Sequence, residues 1–406
     1  MTSTASATKP SISQTQAAAF PIVLALSFSH FLNDLVQALL PAIYPIIKDA
    51  YTLDFGQIGL LTLAFQLTAS LLQPVVGMIT DRHPQPYSLV AGMGTTLIGL
   101  LPLASAGSYA MVLIGAALVG TGSSIFHPEA TRMARMASGG RHGFTQSIFQ
   151  VGGQAGSAAG PLLAAFIVVP NGQISLSWFS AVALLAMGVL AWVGNWYRAQ
   201  APRPVKSKVV GTMPAGGDLA PGVLFTVLIL FALMFSKNGY TASLSSYYTF
   251  YLIGKFNVTV QASQLLLFLF LLANVSGSLA GGYLGDRIGR RAIIWISILG
   301  ALPFTLMLPY ANLFWTAVLT VIIGFIMASA FPAIMTYALE LLPNRVGMTA
   351  GLFYGVAFGL GALSAAALGY LADLTSIETV YRLCAFMPLL GLLAWFLPPA
   401  GEGKGG

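Results

Sequence analysis

The sequence is short of charge. Of 406 residues, 18 are Lys or Arg and 11 are Asp or Glu, 7% in all, while 57% are hydrophobic. A soluble domain carries about 25% charged residues to keep its surface hydrated, so a water-soluble globule of this size is excluded. A cytosolic enzyme, a secreted disulfide scaffold and a disordered tail protein go with it. The single cysteine, Cys384, can close no internal disulfide and supports no cysteine metal motif; in its apolar stretch it reads as a small buried hydrophobe. No Gly-x-x-x-x-Gly-Lys-Ser/Thr loop occurs, so the chain holds no nucleotide-phosphate cradle of that kind. The four histidines, His30, His83, His127 and His142, show no paired ligand spacing. Neither enzymatic chemistry, a cofactor nor a metal is expected.

What the chain does have is long apolar runs, near residues 20–47, 55–80, 87–105, 109–136, 143–168 and 176–197, then 222–253, 260–284, 292–309, 314–341, 347–372 and 379–397. A membrane-spanning helix needs about 20 apolar residues, whereas a barrel would show alternating segments of about ten. The expected fold is therefore an all-α integral membrane protein with twelve transmembrane helices. The first run is too long for a cleaved signal peptide and lacks a small-residue cleavage site, so it reads as a retained span. The widest polar gap divides the chain into a tail (1–19), a six-helix bundle (20–197), a linker (198–221), a second six-helix bundle (222–397) and a short tail (398–406).

The few basic residues give an orientation. With an even number of spans both termini share a side, which then carries Lys9, Arg82, Arg135, Arg141, Arg198, Arg203, Lys206, Lys208, Arg287, Arg290, Arg291, Arg345 and Lys404. The opposite side carries only Lys48, Lys255 and Arg382. Cytoplasmic loops collect Lys and Arg, so both termini and the linker are expected in the cytoplasm. The net charge of +7 is then a topology signal, and the partner it implies is the lipid bilayer rather than nucleic acid.

The two bundles echo each other. Gly77-Met-Ile-Thr-Asp81-Arg82 follows the second run and Gly282-Tyr-Leu-Gly-Asp286-Arg287-Ile-Gly289-Arg290-Arg291 follows the eighth, 205 residues later. Asn33 and Asn238, and Gly156 and Gly361, keep that offset, while Gly120 and Gly324, and Pro128 and Pro332, lie 204 apart. A series of matches at corresponding places indicates two pseudo-symmetric halves, the plan of transporters that bind substrate between repeats at mid-membrane.

The Gly-x-x-x-Asp-Arg loops resemble the signature loop of the major facilitator superfamily, once per half. The resemblance implies a cytoplasmic gate motif formed by Gly77, Asp81 and Arg82 with Gly282, Asp286, Arg287 and Arg290. The first copy departs from the pattern, continuing His83-Pro84-Gln85-Pro86, which suggests an asymmetric gate. Gly156, Gly160 and Pro161 resemble the Gly-x-x-x-Gly-Pro signature of proton-coupled drug exporters in that superfamily, although small-x-x-x-small spacing also serves plain helix packing. The segments His30-Phe-Leu-Asn33-Asp34, Phe126-His127-Pro128-Glu129 and Gln146-Ser-Ile-Phe-Gln150 are similar to bacterial exporters of small phosphonate antibiotics. That resemblance implies drug efflux; the residues alone reach only a two-fold-repeat transporter.

Ionisable groups inside a span are expensive and mark candidate sites. His30, Asn33, Asp34 and Gln37 fall at i, i+3, i+4 and i+7 and form one polar stripe on a helix. Asp34 is the leading proton site, set against a fixed interhelical hydrogen bond. Glu129 and Arg132, at i, i+3, suit either a structural ion pair or a site in which Glu129 takes a proton and Arg132 an anion. His127 either binds substrate or satisfies a carbonyl freed by Pro128. Lys237, beside Asn238, needs an anionic partner or substrate; the resemblance, which implies that spans 1 and 7 face each other across the cavity, makes Asp34 the expected partner. Gln150 and Gln154 share a face with Gln146 and suit a polar substrate or interhelical bonding equally. Tyr247, Tyr248 and Tyr251 read as interfacial or gate packing.

The function expected is secondary active export of a small anionic phosphonate by alternating access, as drug:proton antiport, from a monomer. Potential-driven anion efflux, proton-coupled uptake of an organic anion, and more remotely a non-transporting sensor stay open. The difficulty is electrostatic: protonating Asp34 favours an anion, whereas antiport needs proton and substrate to oppose each other.

Overall fold

The computed structural model describes residues 19–82, 85–139, 142–200, 221–341 and 346–398. The described residues are overwhelmingly helical: α1 (Phe20–Ala42), α2 (Tyr44–Ala50), α3 (Phe55–Arg82), α4 (Ser88–Ser105), α5 (Tyr109–Ala137), α6 (His142–Leu163), α7 (Val169–Asn171), α8 (Ser180–Gln200), α9 (Pro221–Phe256), α10 (Val260–Ile288), α11 (Arg290–Leu299), α12 (Leu302–Met307), α13 (Leu313–Ala328), α14 (Ala330–Leu341), α15 (Val346–Leu374) and α16 (Ile377–Cys384), the last followed by a 3₁₀ segment, Met387–Phe396. Eleven stretches are long and apolar enough to cross a membrane, and α15 adds a shorter apolar stretch, Phe358–Leu374. Large apolar side chains such as Leu24, Phe28, Trp192, Phe225, Phe314 and Trp395 face outward, as they do where the surrounding medium is hydrocarbon.

Four apolar runs read as single helices are broken, and proline is the cause. A proline ring clashes with the carbonyl four residues earlier. Accordingly α11 stops at Leu299 before Pro303, α13 at Ala328 before Pro332, and α16 at Cys384 before Pro388. The run 20–47 likewise divides at Ile43, between Pro41 and Pro45. Pro128 and Pro161 lie inside α5 and α6 without ending them. Side-chain caps start several helices: Ser108, Thr259, Asn312 and Ser376 each accept a backbone N–H of the first turn, satisfying donors that the helix leaves unpaired.

Glycine controls how closely α6 approaches α1. Gly152, Gly156 and Gly160 repeat every four residues along one face of α6, where an added Cβ would press on Ser27, Phe31 and Ala38 of α1. Helices in lipid associate by close packing of such small residues. The same device joins α3 to α15: a Cβ on Gly59 would lie 2.7 Å from Ala366 Cα and 2.9 Å from the Tyr247 hydroxyl.

Cys384 is buried, as expected. So are Tyr247, Tyr248 and Tyr251. Their hydroxyls donate to Ala365 O at 2.6 Å, are met by Thr320 at 3.0 Å, and donate to Leu308 O at 3.4 Å, respectively; they pack the interior rather than forming an interfacial belt.

Candidate functional site

A cavity of about 320 Å³ opens where α1, α3, α5 and α6 meet α9, α10 and α15. Asp34 and Gln37 reach it from α1, Gln66 and Gln73 from α3, Ser123 and His127 from α5, Ser157 and Pro161 from α6, Ser245 from α9 and Phe358 from α15. Its walls mix amide, hydroxyl and apolar groups. Among the described lining residues the charged or titratable side chains are Asp34 and His127.

The stripe predicted on α1 is real and points inward. His30 and Asn33 are fully buried, while Asp34 and Gln37 are half-buried at the cavity wall. Four side chains approach the Asp34 carboxylate. Asn33 Nδ2 donates to Oδ1 at 2.9 Å and Gln37 Nε2 at 3.4 Å. His30 Nε2 lies 3.3 Å from Oδ2, and His127 Nε2, arriving from α5, lies 3.6 Å from Oδ1.

Both imidazoles are oriented from behind. His30 Nδ1 lies 2.8 Å from the Phe149 carbonyl, and its ring stacks on the Phe149 ring at 4.1 Å. His127 Nδ1 lies 3.0 Å from the Ser123 carbonyl and 3.2 Å from the Ser123 hydroxyl. A carbonyl oxygen can only accept, so each Nδ1 carries the hydrogen and each Nε2 presents a lone pair when neutral. Two lone pairs and a carboxylate thus converge, with one atom from each within 4.8 Å of the others. Such a cluster calls for a shared positive charge, either protons or a cation. Sequence spacing gave no sign of a histidine pair because His30 and His127 come from different helices.

The remaining candidates divide. Gly156 and Gly160 make the α1–α6 contact, and Pro161 reaches the cavity. Glu129 is buried, with Arg132 Nη2 at 2.7 Å and the Ser88 hydroxyl donating at 2.9 Å; the Arg132 guanidinium also lies over the Tyr197 ring at 5.4 Å. This network ties α4, α5 and α8 together away from the cavity. Lys237 sits half-buried with Nζ 5.2 Å from the Phe331 ring centre. Among the described residues, the ion-pair partners of Asp34 are His30 and His127 and not Lys237. The neighbouring Asn238 Nδ2 is buried without an acceptor among the described residues. Gln150 and Gln154 are half-buried on α6 and do not line the cavity.

Of the gate motif, Gly77, Asp81 and Arg82 form the last turns of α3, Gly282, Asp286 and Arg287 those of α10, and Arg290 opens α11. Arg287 lies over the Tyr283 ring at 4.3 Å. His83 and Pro84, both tails from 1–18 and 399–406, and the linker residues 201–220 lie outside the described residues.

Sequence reasoning missed Gly153, Ser123 and Phe149. A Cβ on Gly153 would strike the His30 ring and come within 2.8 Å of Asp34 Oδ2, so glycine here makes room for the cluster. Its only sequence signal was the Gly152-Gly153 doublet.

The profile of the Major Facilitator Superfamily matches residues 26–253 and 227–405. The chain belongs to this superfamily. This major facilitator protein is 58% identical over 383 residues, 93% of each chain, to the fosmidomycin resistance protein of Escherichia coli K12. It is 37% identical over 383 residues, again 93% of each, to an uncharacterized MFS-type transporter, YfnC, of Bacillus subtilis. Among solved structures, it shares the fold of the nucleoside transporter NupG (TM-score 0.72, 13% identity, 92% and 97% of the two chains). The same holds for a bacterial homologue of the human lysosomal transporter Spinster in an inward-facing, occupied conformation (TM-score 0.69, 15% identity, 93% and 94%).

Proposed function

We propose that this major facilitator protein is a secondary active exporter of small anionic phosphonate antibiotics of the fosmidomycin type, working by alternating access. The observation that carries the reading is the 58% identity across 93% of the chain to a protein named for fosmidomycin resistance. The cavity between α1, α3, α5, α6 and α9, α10, α15 supports it, since substrate sites of repeat transporters lie between the repeats. In this reading twelve spans form two pseudo-symmetric six-helix halves, 20–197 and 222–397. The protein acts as a monomer in the inner membrane, with both termini cytoplasmic.

Coupling is by exchange for protons. The convergence of His30, His127 and Asp34 supports this cluster as the proton-binding centre, with Glu129 committed to its pair with Arg132. Gln37 and Asn33 orient the carboxylate, and Gln66, Gln73 and Ser245 offer hydrogen bonds to the substrate. Lys237 and Asn238 meet the anion at another stage of the cycle. The rival is uncoupled efflux, because an inside-negative potential expels anions at about 2.3 kcal/mol per charge per 100 mV.

Two measurements test the reading. Expression in a bacterial host lacking its own phosphonate exporter should raise resistance to fosmidomycin, and unchanged susceptibility overturns export. In proteoliposomes with the potential clamped to zero, fosmidomycin should move protons in the opposite direction; substrate flux without proton flux overturns antiport and favours the potential-driven route.

A further inference from the structure

An anion binding in this cavity meets a problem. The fixed formal charge among the described lining residues is the Asp34 carboxylate, and neither Lys nor Arg is among them. Positive charge has to be brought in, and the place built to receive it is the convergence of His30, His127 and Asp34.

Its spacing is close to that of ligands around one metal ion. Donors bound at about 2.0–2.2 Å in a tetrahedral site stand roughly 3.3–3.6 Å apart; here His30 Nε2 lies 3.3 Å from Asp34 Oδ2 and His127 Nε2 3.6 Å from Asp34 Oδ1, with one donor atom from each residue within 4.8 Å of the others. Metal-binding histidines almost always donate their other ring N–H to a carbonyl, carboxylate or water, which fixes the tautomer. Both histidines do so, to Phe149 O and Ser123 O. The carboxylate is steadied in turn by Asn33 and Gln37. Two imidazoles and one carboxylate favour first-row transition ions over Mg²⁺ or Ca²⁺, which prefer all-oxygen sites.

Access follows from burial. His30 is sealed in at 3% side-chain exposure, but Asp34 (17%) and His127 (29%) open onto the cavity. Three protein ligands leave a fourth position open, as in zinc sites that bind water or substrate.

We propose that His30, Asp34 and His127 bind one divalent first-row transition-metal ion, with an open position toward the cavity that accepts an anionic oxygen of the substrate. The ion turns a cavity of negative fixed charge into one that attracts a phosphonate. Protons and the ion compete for the same three acceptors. Only the role of the open position rests on the export reading; binding of the ion stands independently.

The test is titration of the purified full chain, freed of any affinity tag, with Co²⁺ alone. One equivalent should bind with the visible ligand-field absorption of a nitrogen- and oxygen-ligated site. His127→Ala, His30→Ala and Asp34→Asn should each weaken binding at least about tenfold, and Gly188→Ala should leave it unchanged. His127 is the least buried ligand, so His127→Ala separates ligand loss from misfolding; its melting temperature without metal should match the wild type's. Absence of the absorption, or an affinity unchanged in His127→Ala, overturns the site. Fosmidomycin added to the Co²⁺-loaded protein should shift the spectrum, and an unaltered spectrum overturns the open position. Co²⁺ binding by a chain that confers no resistance would sink the export reading and leave the metal site standing.

Discussion

The carboxylate of Asp373, at the end of α15, holds the first turn of α3 at Gly56. The Gly56 N–H donates to Oδ2 at 2.6 Å and the adjoining Phe55 N–H to Oδ1 at 2.8 Å, across more than 300 residues of chain. Asp54 caps the same helix from within its own segment, accepting the Gln57 N–H at 2.6 Å. One helix N-terminus is therefore satisfied partly by its own segment and partly by a distant one. Beside it, Gly59 brings α3 against α15, and the Tyr247 hydroxyl lies 3.4 Å from Phe55 O.

If α3 and α15 separate here during transport, the bonds to Asp373 must break. Asp373→Ala should favour the separated state by about fivefold, the worth of one capping interaction. Asp54→Ala should lower stability by a similar amount with no such shift. The measurement is the maleimide labelling rate of a cysteine at Ser245, in a Cys384→Ala background, from the side on which Asp373 lies. Equal rates in the Asp373→Ala variant and its parent refute the latch.

Asp34→Asn should abolish efflux while the protein still accumulates and runs as a monodisperse peak in size-exclusion chromatography. Asparagine keeps the shape and the acceptor oxygen but neither the charge nor the proton. Wild-type fosmidomycin resistance in this variant would remove Asp34 from the mechanism.

Gly153→Ala puts a methyl group where His30 and Asp34 already sit. Overpacking of this kind costs about 1–3 kcal/mol, and relief requires displacing the cluster. Transport should fall far more than thermal stability does. Gly188, whose Cβ position is open, should accept alanine with no change in either.

The Glu129–Arg132 pair should behave as structure. Removing one partner from a buried pair costs about 3–5 kcal/mol because a charge is left uncompensated, so Arg132→Leu should sharply reduce the yield of folded protein. The double variant Glu129→Leu with Arg132→Leu should recover much of that yield. Normal yield with lost transport in Arg132→Leu would instead mark Arg132 as a substrate ligand.

How far the sequence could be read follows from the range of its signals. The polar stripe His30, Asn33, Asp34, Gln37 was visible because helical periodicity is local, and α1 presents it as expected. The Glu129–Arg132 contact was visible for the same reason. Lys237 was expected to pair with Asp34, but His30 pairs with it from one turn away on α1, and His127 reaches it only because α5 packs beside α1. The helix breaks before Pro303, Pro332 and Pro388 could have been read, since the clash with the fourth carbonyl back is a local rule.

The scarcity of charge and the length of the apolar runs by themselves determined an all-helical chain in a membrane, because a bilayer permits few backbone solutions. They also determined which few polar residues would have to matter. The tertiary structure alone decided which of those residues meet. His30 meets Asp34 along its own helix, but His127, 97 positions from His30 in sequence, meets it only because α5 packs beside α1. Local periodicity sets the face a side chain takes on its helix; close packing between helices sets the company it keeps.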